Sequence, residues 1–392
     1  MKALTSLTSL PDSPVSDGFR RTATVGLLGT YPPTACGIAS FGAALSRGLE
    51  INGMNVKVVR IADNSSGTDD RIVGELVNGS PSSAVKTAAL LNSTDMVVVQ
   101  HEYGTYGGPS GADIIDIIDD IRVPVIVVLH TVLSHPSAQQ RSVLDLIAAK
   151  ADRVVVMSKT ARSRLHDSYG VDRRKVSMIP HGAMVPSNTH VRRSGRPTLL
   201  TWGLLGPGKG IERVIDAMHV LQDLPGRPRY LVAGRTHPKV LAAEGEAYRE
   251  ARRDQARRCG VADAVSFDDE YRSVGSLSAM IRSAAVVVLP YDSTDQVTSG
   301  VLVDAIANGR PVVATAFPHA VELLDTGAGI VVPHDDHDAL ARALRRVLTE
   351  PCLAGSMAGH ARQLAPAMAW SVVARAYLDL AQTIPTGRES LV

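Results

Sequence analysis

The densest chemistry in the chain lies between Pro290 and Pro311, PYDSTDQVTSGVLVDAIANGRP. A buried β-run ends at Pro290, a polar loop follows, and Ser299 and Gly300 open a helix ending near Gly309. Serine caps helices well, and glycine lets a ligand approach the backbone. Free amides and the positive end of the helix dipole attract an anion, most often phosphate. The opening turn, Ser299, Gly300 and Val301, therefore reads as a diphosphate cradle. Asp304 lies four residues past Gly300 on the same face, placed to take sugar or ribose hydroxyls. An ordinary capped helix with a solvated Asp is the competing reading.

Two further loops have matching character. TWGLLGPGKG (201–210) leaves a β-run with three glycines in five residues around one cation, Gly206, Gly208 and Gly210 about Lys209. This suits a phosphate contact, although Gly210 follows the lysine where a Walker loop needs Ser or Thr. GTYPPTACGIASF (29–41) follows the first β-run and sets Gly37 just before a helix that Ser40 helps to start. It lacks the GxGxxG spacing of a dinucleotide fold, which counts against an NAD enzyme.

These loops need rigid elements behind them, and the hydrophobic pattern supplies them. Continuous apolar runs occur at 23–29, 56–62, 95–101, 123–130, 153–158 and 175–182. Runs without polar alternation suit strands buried on both faces, as parallel sheets require. The alternation restarts at 198–203, 229–234, 264–269, 284–290, 311–316 and 329–333, with helices at 210–223, 239–259, 275–283, 299–308 and 336–349. The fold class is α/β: two doubly wound, Rossmann-like domains facing a cleft, where open α/β sheets bind ligands. Residues 1–21 read as a disordered leader and 22–185 as the first domain. The polar stretch 186–197 reads as a linker and 198–369 as the second domain. A last helix at 370–385 packs back on the first domain, and 386–392 form a tail.

On these motifs the chain resembles a retaining glycosyltransferase of the GT-B fold, glycosyltransferase family 4. Gly203–Gly210 is similar to the family's Gly-Arg-Leu-x-x-x-Lys-Gly segment, and Gln296–Pro311 to its Glu-x7-Glu segment. His130, which closes VIVVLH, resembles the histidine near the donor sugar, and Ile179–Gly182 resembles the motif closing the first domain. Tyr31–Phe41, Gln100–Gly104 and Gly234–Pro238 resemble one bacterial subgroup. The chain departs from the family pattern at Leu204, where Arg is usual, and at Gln296, where the first Glu is usual; Asp304 stands for the second. Gln keeps its hydrogen bonds but is no nucleophile.

The resemblance implies transfer of a hexosyl unit from a nucleotide diphosphate sugar, UDP- or GDP-linked, to a hydroxyl of a saccharide or small-molecule acceptor. It implies a front-face route, and no metal or other cofactor is expected, since no Asp-x-Asp segment stands at a strand end near the phosphate loops. Lys209 and the Ser299 and Gly300 amides would hold the diphosphate, with Gly208 and Val301 beside them and Arg235 supplying the cation missing at Leu204. Asp304 would bind ribose, Tyr271 would flank the base, Gln296 and His130 would orient the sugar, and Gly37 would leave room for phosphate. His101 and Glu102 fall on the acceptor side.

Composition narrows the field. Lys+Arg of 41 against Asp+Glu of 39 leaves +2, which argues against a dedicated nucleic-acid surface. No apolar run reaches the roughly 18–20 residues of a membrane span, and the start lacks a secretory apolar core, so a cytoplasmic location is expected. Cys36, Cys259 and Cys352 form neither a disulfide framework nor a metal knuckle. His334-Asp-Asp-His337 reads as a helix cap rather than a metal site, and the arginines of 251–259 as a solvated helix face. Other readings are a non-catalytic nucleotide-sugar-binding protein, a nucleotide-sugar epimerase or glycosyl phosphorylase and, more distantly, a dehydrogenase.

Overall fold

The computed structural model describes residues 23–63, 65, 68–187, 195–270 and 272–385. The leader at 1–21, the central part of the linker, Tyr271 and the tail at 386–392 lie outside the described residues. The first domain carries β1 (Thr24–Gly29), β2 (Asn55–Ile61), β3 (Ile72–Leu76), β4 (Met96–His101), β5 (Val125–Leu129), β6 (Arg153–Val156) and β7 (Val176–Met178). The second carries β8 (Thr198–Trp202), β9 (Arg229–Ala233), β10 (Val265–Asp268), β11 (Val286–Leu289), β12 (Val312–Thr315) and β13 (Gly329–Val332). All pairings are parallel, in the orders β3-β2-β1-β4-β5-β6-β7 and β10-β9-β8-β11-β12-β13.

Each order reverses beside its first strand, between β1 and β4 and between β8 and β11. A crevice opens at such a reversal, outside the carboxyl ends of the strands. The loops at 30–36 and 102–113 flank the first crevice, and those at 203–210 and 290–299 flank the second. The strands hold position because both faces are covered: every residue of β4, β5, β8, β11 and β12 is buried.

Several local features differ from the sequence expectations, among them the unexpected helices Pro318–Leu324 and Pro351–Leu364. β3 was not anticipated; IVGEL is a short edge strand whose Gly74 and Glu75 interrupt the apolar run. The helix expected at 239–259 is two, Pro238–Glu244 and Ala247–Arg258, because Gly245 takes φ +63° and ends the first. The first helix begins at Gly37 rather than Ser40, with the Cys36 sulfur accepting the Ala39 amide at 3.3 Å.

The chain passes between domains twice, and the crossings lie side by side. Ile179 belongs to the first-domain core, whereas Ala183 and Val185 already pack in the second, so the passage precedes the 185/186 boundary drawn from composition. The return runs from Met368 in the second core to Trp370 against the first. The Ala183 amide donates to the Met368 carbonyl at 2.7 Å, tying the strands of the crossing together. The helix Trp370–Gln382 then lies along the helix Gly37–Ile51, burying Val373, Ala374 and Tyr377 there.

Further contacts join the domains. Val297, from the second-domain loop, sits in the first-domain core. Asp295 beside it pairs with Arg164 at 2.5 Å and accepts the Ser134 amide at 3.2 Å. Glu322 accepts the Lys159 and Thr160 amides at 2.9 and 3.2 Å, a carboxylate from one domain on a helix start of the other.

The crossing is packed tightly enough to test. A Cβ on Gly182 would stand 2.4–2.8 Å from the Trp370 indole. Gly182→Ala should therefore cost about 1–3 kcal/mol through overpacking, read as a fall of several degrees in Tm. An unchanged Tm would show that Trp370 is free to move aside.

Candidate functional site

The second-domain wall of the cleft is built from the loops at 203–210 and 290–299. They are laced by the Asp292 amide donating to Gly208 O at 3.0 Å and by Gly210, whose missing Cβ would lie 1.7 Å from Pro290 O. Gly210 also takes φ +64°, so glycine alone fits both the space and the backbone. Lys209 stands with its ammonium 4.6 Å from the centre of the Tyr291 ring, and Tyr291 stacks on Phe317 at 5.3 Å. A cation over an aromatic face is held without a carboxylate partner, leaving its charge for a ligand. Burial lowers the Lys209 pKa.

The helix Gly300–Ala307 opens beside this lysine. Ser299 caps it, its hydroxyl accepting the Leu302 amide at 3.3 Å. The Ser299 amide does not belong to the anion cradle: it donates to Nδ1 of the buried His319 at 2.9 Å. This corrects the sequence expectation, which counted that amide among the diphosphate donors. Among the described residues the Gly300 and Val301 amides have no hydrogen-bond partner, and the Val303 amide returns to Ser299 O at 3.2 Å. Burial pushes His319 down to about 3, with a further contribution from His181, so its ring stays neutral and accepts. No spacing in the sequence marks His319, which lies in an ordinary helical run.

The first-domain wall meets this helix through His181. Its Nδ1–H donates to Gly182 O at 2.6 Å, and its Nε2 lies 2.9 Å from where a Gly300 Cβ would stand. Phe41 presents ring contacts to His181, His130 and Trp370 at 5.1, 4.9 and 4.9 Å. Gln100, fully buried at the end of β4, has its side-chain oxygen 2.6 Å from Nε2 of His130. Burial, then His181 and His101, push His130 down to about 3, leaving a neutral imidazole.

The remaining candidates are distributed along the same cleft. Gln296 donates to Thr298 O at 3.0 Å, which leaves its side-chain oxygen available as an acceptor. Asp304 is half-buried, with no hydrogen bond or ion pair to its carboxylate among the described residues. Gly37 and Gly208 have open space where a Cβ would be. Arg235 is exposed, its Nε 3.4 Å from Asp269 O. Glu102 accepts the Thr131 hydroxyl and, at 2.8 Å, the Tyr103 amide. Its neighbour His101 is fully buried with both ring nitrogens unpartnered, and packs edge-on to Tyr103. Tyr271 lies outside the described residues. Asp336 caps the helix His337–Thr349, and among the described residues no three His, Cys, Asp or Glu side chains are grouped as metal ligands.

The cleft can now be set beside known proteins. A family model described as glycosyl transferases group 1 matches residues 196–350, and one described as glycosyltransferase family 4 matches 36–183. The D-inositol 3-phosphate glycosyltransferase of Kineococcus radiotolerans is 28% identical over 258 residues, 60% of this chain and 58% of its own length. The counterpart from Streptomyces avermitilis is matched over 54% of its length, so the chain spans little more than half of these relatives. The alpha-D-kanosaminyltransferase of Streptomyces kanamyceticus is 28% identical over 65% of this chain and 68% of its own. Among solved structures, sucrose-phosphate synthase from Thermosynechococcus elongatus has a TM-score of 0.70 at 18% identity, covering 92% of this chain and 98% of that one. Anabaena HepE in complex with UDP-glucose has a TM-score of 0.71 at 15% identity, covering 92% and 100%. At these identities the structures establish the fold alone.

Asp304 gives the wall a measurable property. Burial pushes its carboxyl up to about 7, whereas an unfolded Asp ionises near 3.9. Between those values the folded chain keeps a proton that the unfolded chain has lost, so this group's contribution to stability falls as pH rises through the window. Asp304→Asn should raise Tm above wild type at pH 8, with the gap shrinking by pH 5. Equal gaps at both pH values would mean that the carboxyl is solvated.

Proposed function

The chain belongs to the glycosyltransferases of family 4 with the GT-B fold, and from that premise we propose that it is a retaining hexosyltransferase using a nucleotide diphosphate sugar. The observation that carries the reading is Lys209, held over Tyr291 beside the unbonded Gly300 and Val301 amides. A desolvated ammonium and a helix start together suit a diphosphate whose negative charge grows as it leaves.

In this reading the donor is UDP- or GDP-linked. Its diphosphate lies on Lys209 and the Gly300 and Val301 amides, with Gly208 and Gly37 leaving room and Arg235 near the loop after β9. Asp304 accepts hydrogen bonds from ribose hydroxyls. Gln296 and the neutral His130 orient the hexose. The acceptor hydroxyl approaches from the Glu102 side, on the same face as the departing diphosphate. As the anomeric C–O bond to diphosphate breaks, the bond to the acceptor oxygen forms on that face, and the acceptor proton passes to a diphosphate oxygen. Configuration is retained, and no carboxylate nucleophile is required at Gln296. The charge stabilisation needed comes from Lys209 and the two amides, so the reaction proceeds without a metal.

Gln296 also favours a second reading, a sugar-nucleotide-binding protein without turnover, because the position holds no ionisable group. A panel of UDP, GDP, ADP, TDP and NAD⁺ separates the possibilities. A ligand at about 100 times its Kd stabilises by roughly 2.7 kcal/mol, a shift of several degrees. One nucleoside diphosphate should raise Tm equally with and without EDTA. Lys209→Ala should lower kcat by about 10²–10³-fold, the usual loss for one transition-state donor. Full turnover in that variant, or a shift with NAD⁺ alone, would overturn the assignment; binding with no turnover would favour the second reading.

A further inference from the structure

The loops that follow the seven strands of the first sheet form that domain's wall of the cleft, and their charge is one-sided. Segments 30–36, 62–71, 77–80, 102–113, 130–137, 157–158 and 179–183 contain Asp63, Asp69, Asp70, Glu102 and Asp113, against Arg71 as their one Lys or Arg. Arg71 is already committed: its Nε donates to Glu50 at 2.8 Å, and its NH1 to Tyr31 Oη at 2.8 Å and Asp69 at 3.1 Å. Arg60, at the end of β2, is 1% exposed and donates to Glu75 at 2.6 Å and Asp63 at 3.1 Å.

The buried histidines His101, His130 and His181 add no charge to compensate. Burial pushes His101 down to about 4 and His181 to about 4, beside the neutral His130. His135 is exposed and shares a hydrogen bond with the Ser134 hydroxyl at 2.9 Å.

Within this wall Glu102 stands apart. It is half-buried at the end of β4, burial pushes its carboxyl up, and among the described residues no cation lies within ion-pair distance of it. The cation whose field reaches it, Lys239, comes from the other domain. Lys239 follows Arg235 and His237 at the end of β9, on the wall that also carries Lys209. On the first-domain side the loops therefore carry more carboxylates than cations, and the two arginines beside them, Arg60 and Arg71, are already bonded to carboxylates.

Resting on the glycosyl-transfer reading above, we propose that the acceptor is an uncharged polyol or sugar, held by a hydroxyl at Glu102, and that phosphorylated acceptors are excluded. A carboxylate accepts hydroxyl donors well, and its lone pairs left over from Thr131 and Tyr103 remain for them. A phosphate dianion brought to the same place meets a like charge between low-dielectric walls, which is discrimination by repulsion. In this the chain departs from the D-inositol 3-phosphate glycosyltransferases it resembles, whose name carries a phosphorylated inositol.

The test uses the full chain, labelled UDP- and GDP-hexoses, and matched acceptors: myo-inositol against inositol 1-phosphate, glucose against glucose 6-phosphate, and mannose against mannose 6-phosphate. Hydrolysis of the donor by water is followed in parallel as acceptor-independent turnover. At least a tenfold higher kcat/KM for the uncharged member of the best-used pair supports the proposal. Glu102→Gln should raise the acceptor KM about tenfold and leave the donor KM unchanged, a split that a merely structural role would not give. Equal or better use of a phosphorylated member overturns the proposal, as does donor hydrolysis without transfer to any uncharged acceptor. Absence of both hydrolysis and transfer instead removes the glycosyl-transfer reading on which the proposal stands.

Discussion

The working geometry depends on how closely His181 of the first domain rests on the bare backbone of Gly300 in the second. With a side chain at 300, the Nε2 atom 2.9 Å from the Cβ position would have to retreat, and the walls of the cleft would part. The same missing side chain opens the helix amides, so one glycine serves both domain approach and anion access. His181 cannot readily give way, because Phe41 and Trp370 surround it and its Nδ1–H is bonded to Gly182 O. The crossing of the chain between domains and the start of the helix at Gly300 are therefore one packed unit.

The second governing factor is dryness. Burial keeps His130, His181 and His319 neutral, raises Asp304 and lowers Lys209, each shift disfavouring a bare charge. A wall that holds its charged groups away from water gives a stronger field at the ligand and needs less reorganisation when charge moves. Neutrality also fixes hydrogen-bond direction. His319 accepts the Ser299 amide only because its Nδ1 carries no proton, which passes the cradle to Gly300 and Val301.

Much of this was legible in the residues. Val- and Ile-rich runs name buried parallel strands because no other element buries both faces over so few residues, and both switch points follow from the strand order. The Ser299 cap and the helix opening at Gly300 are legible for the same reason: glycine and a capping serine at a strand–helix junction have local meaning. What escaped was long-range. β3 is an edge strand with a mixed pattern, and only its neighbour's hydrogen bonds define it. His319 takes the Ser299 amide from twenty residues away, a partnership no local spacing encodes. Cys36 caps a helix where Ser40 was the conventional choice. The pairing of Arg60 and Arg71 with their carboxylates, which removes cationic charge from the first-domain loops, is likewise a matter of packing.

The helix that closes the chain has a consequence for how the molecule is made. Trp370, Val373, Ala374 and Tyr377 complete the core of the domain that begins at the other end of the sequence. On the ribosome, the first domain emerges with one flank of its apolar core uncovered and waits for the entire second domain to be synthesised. Domains commonly fold in the order they are translated, but here the first cannot finish before the last.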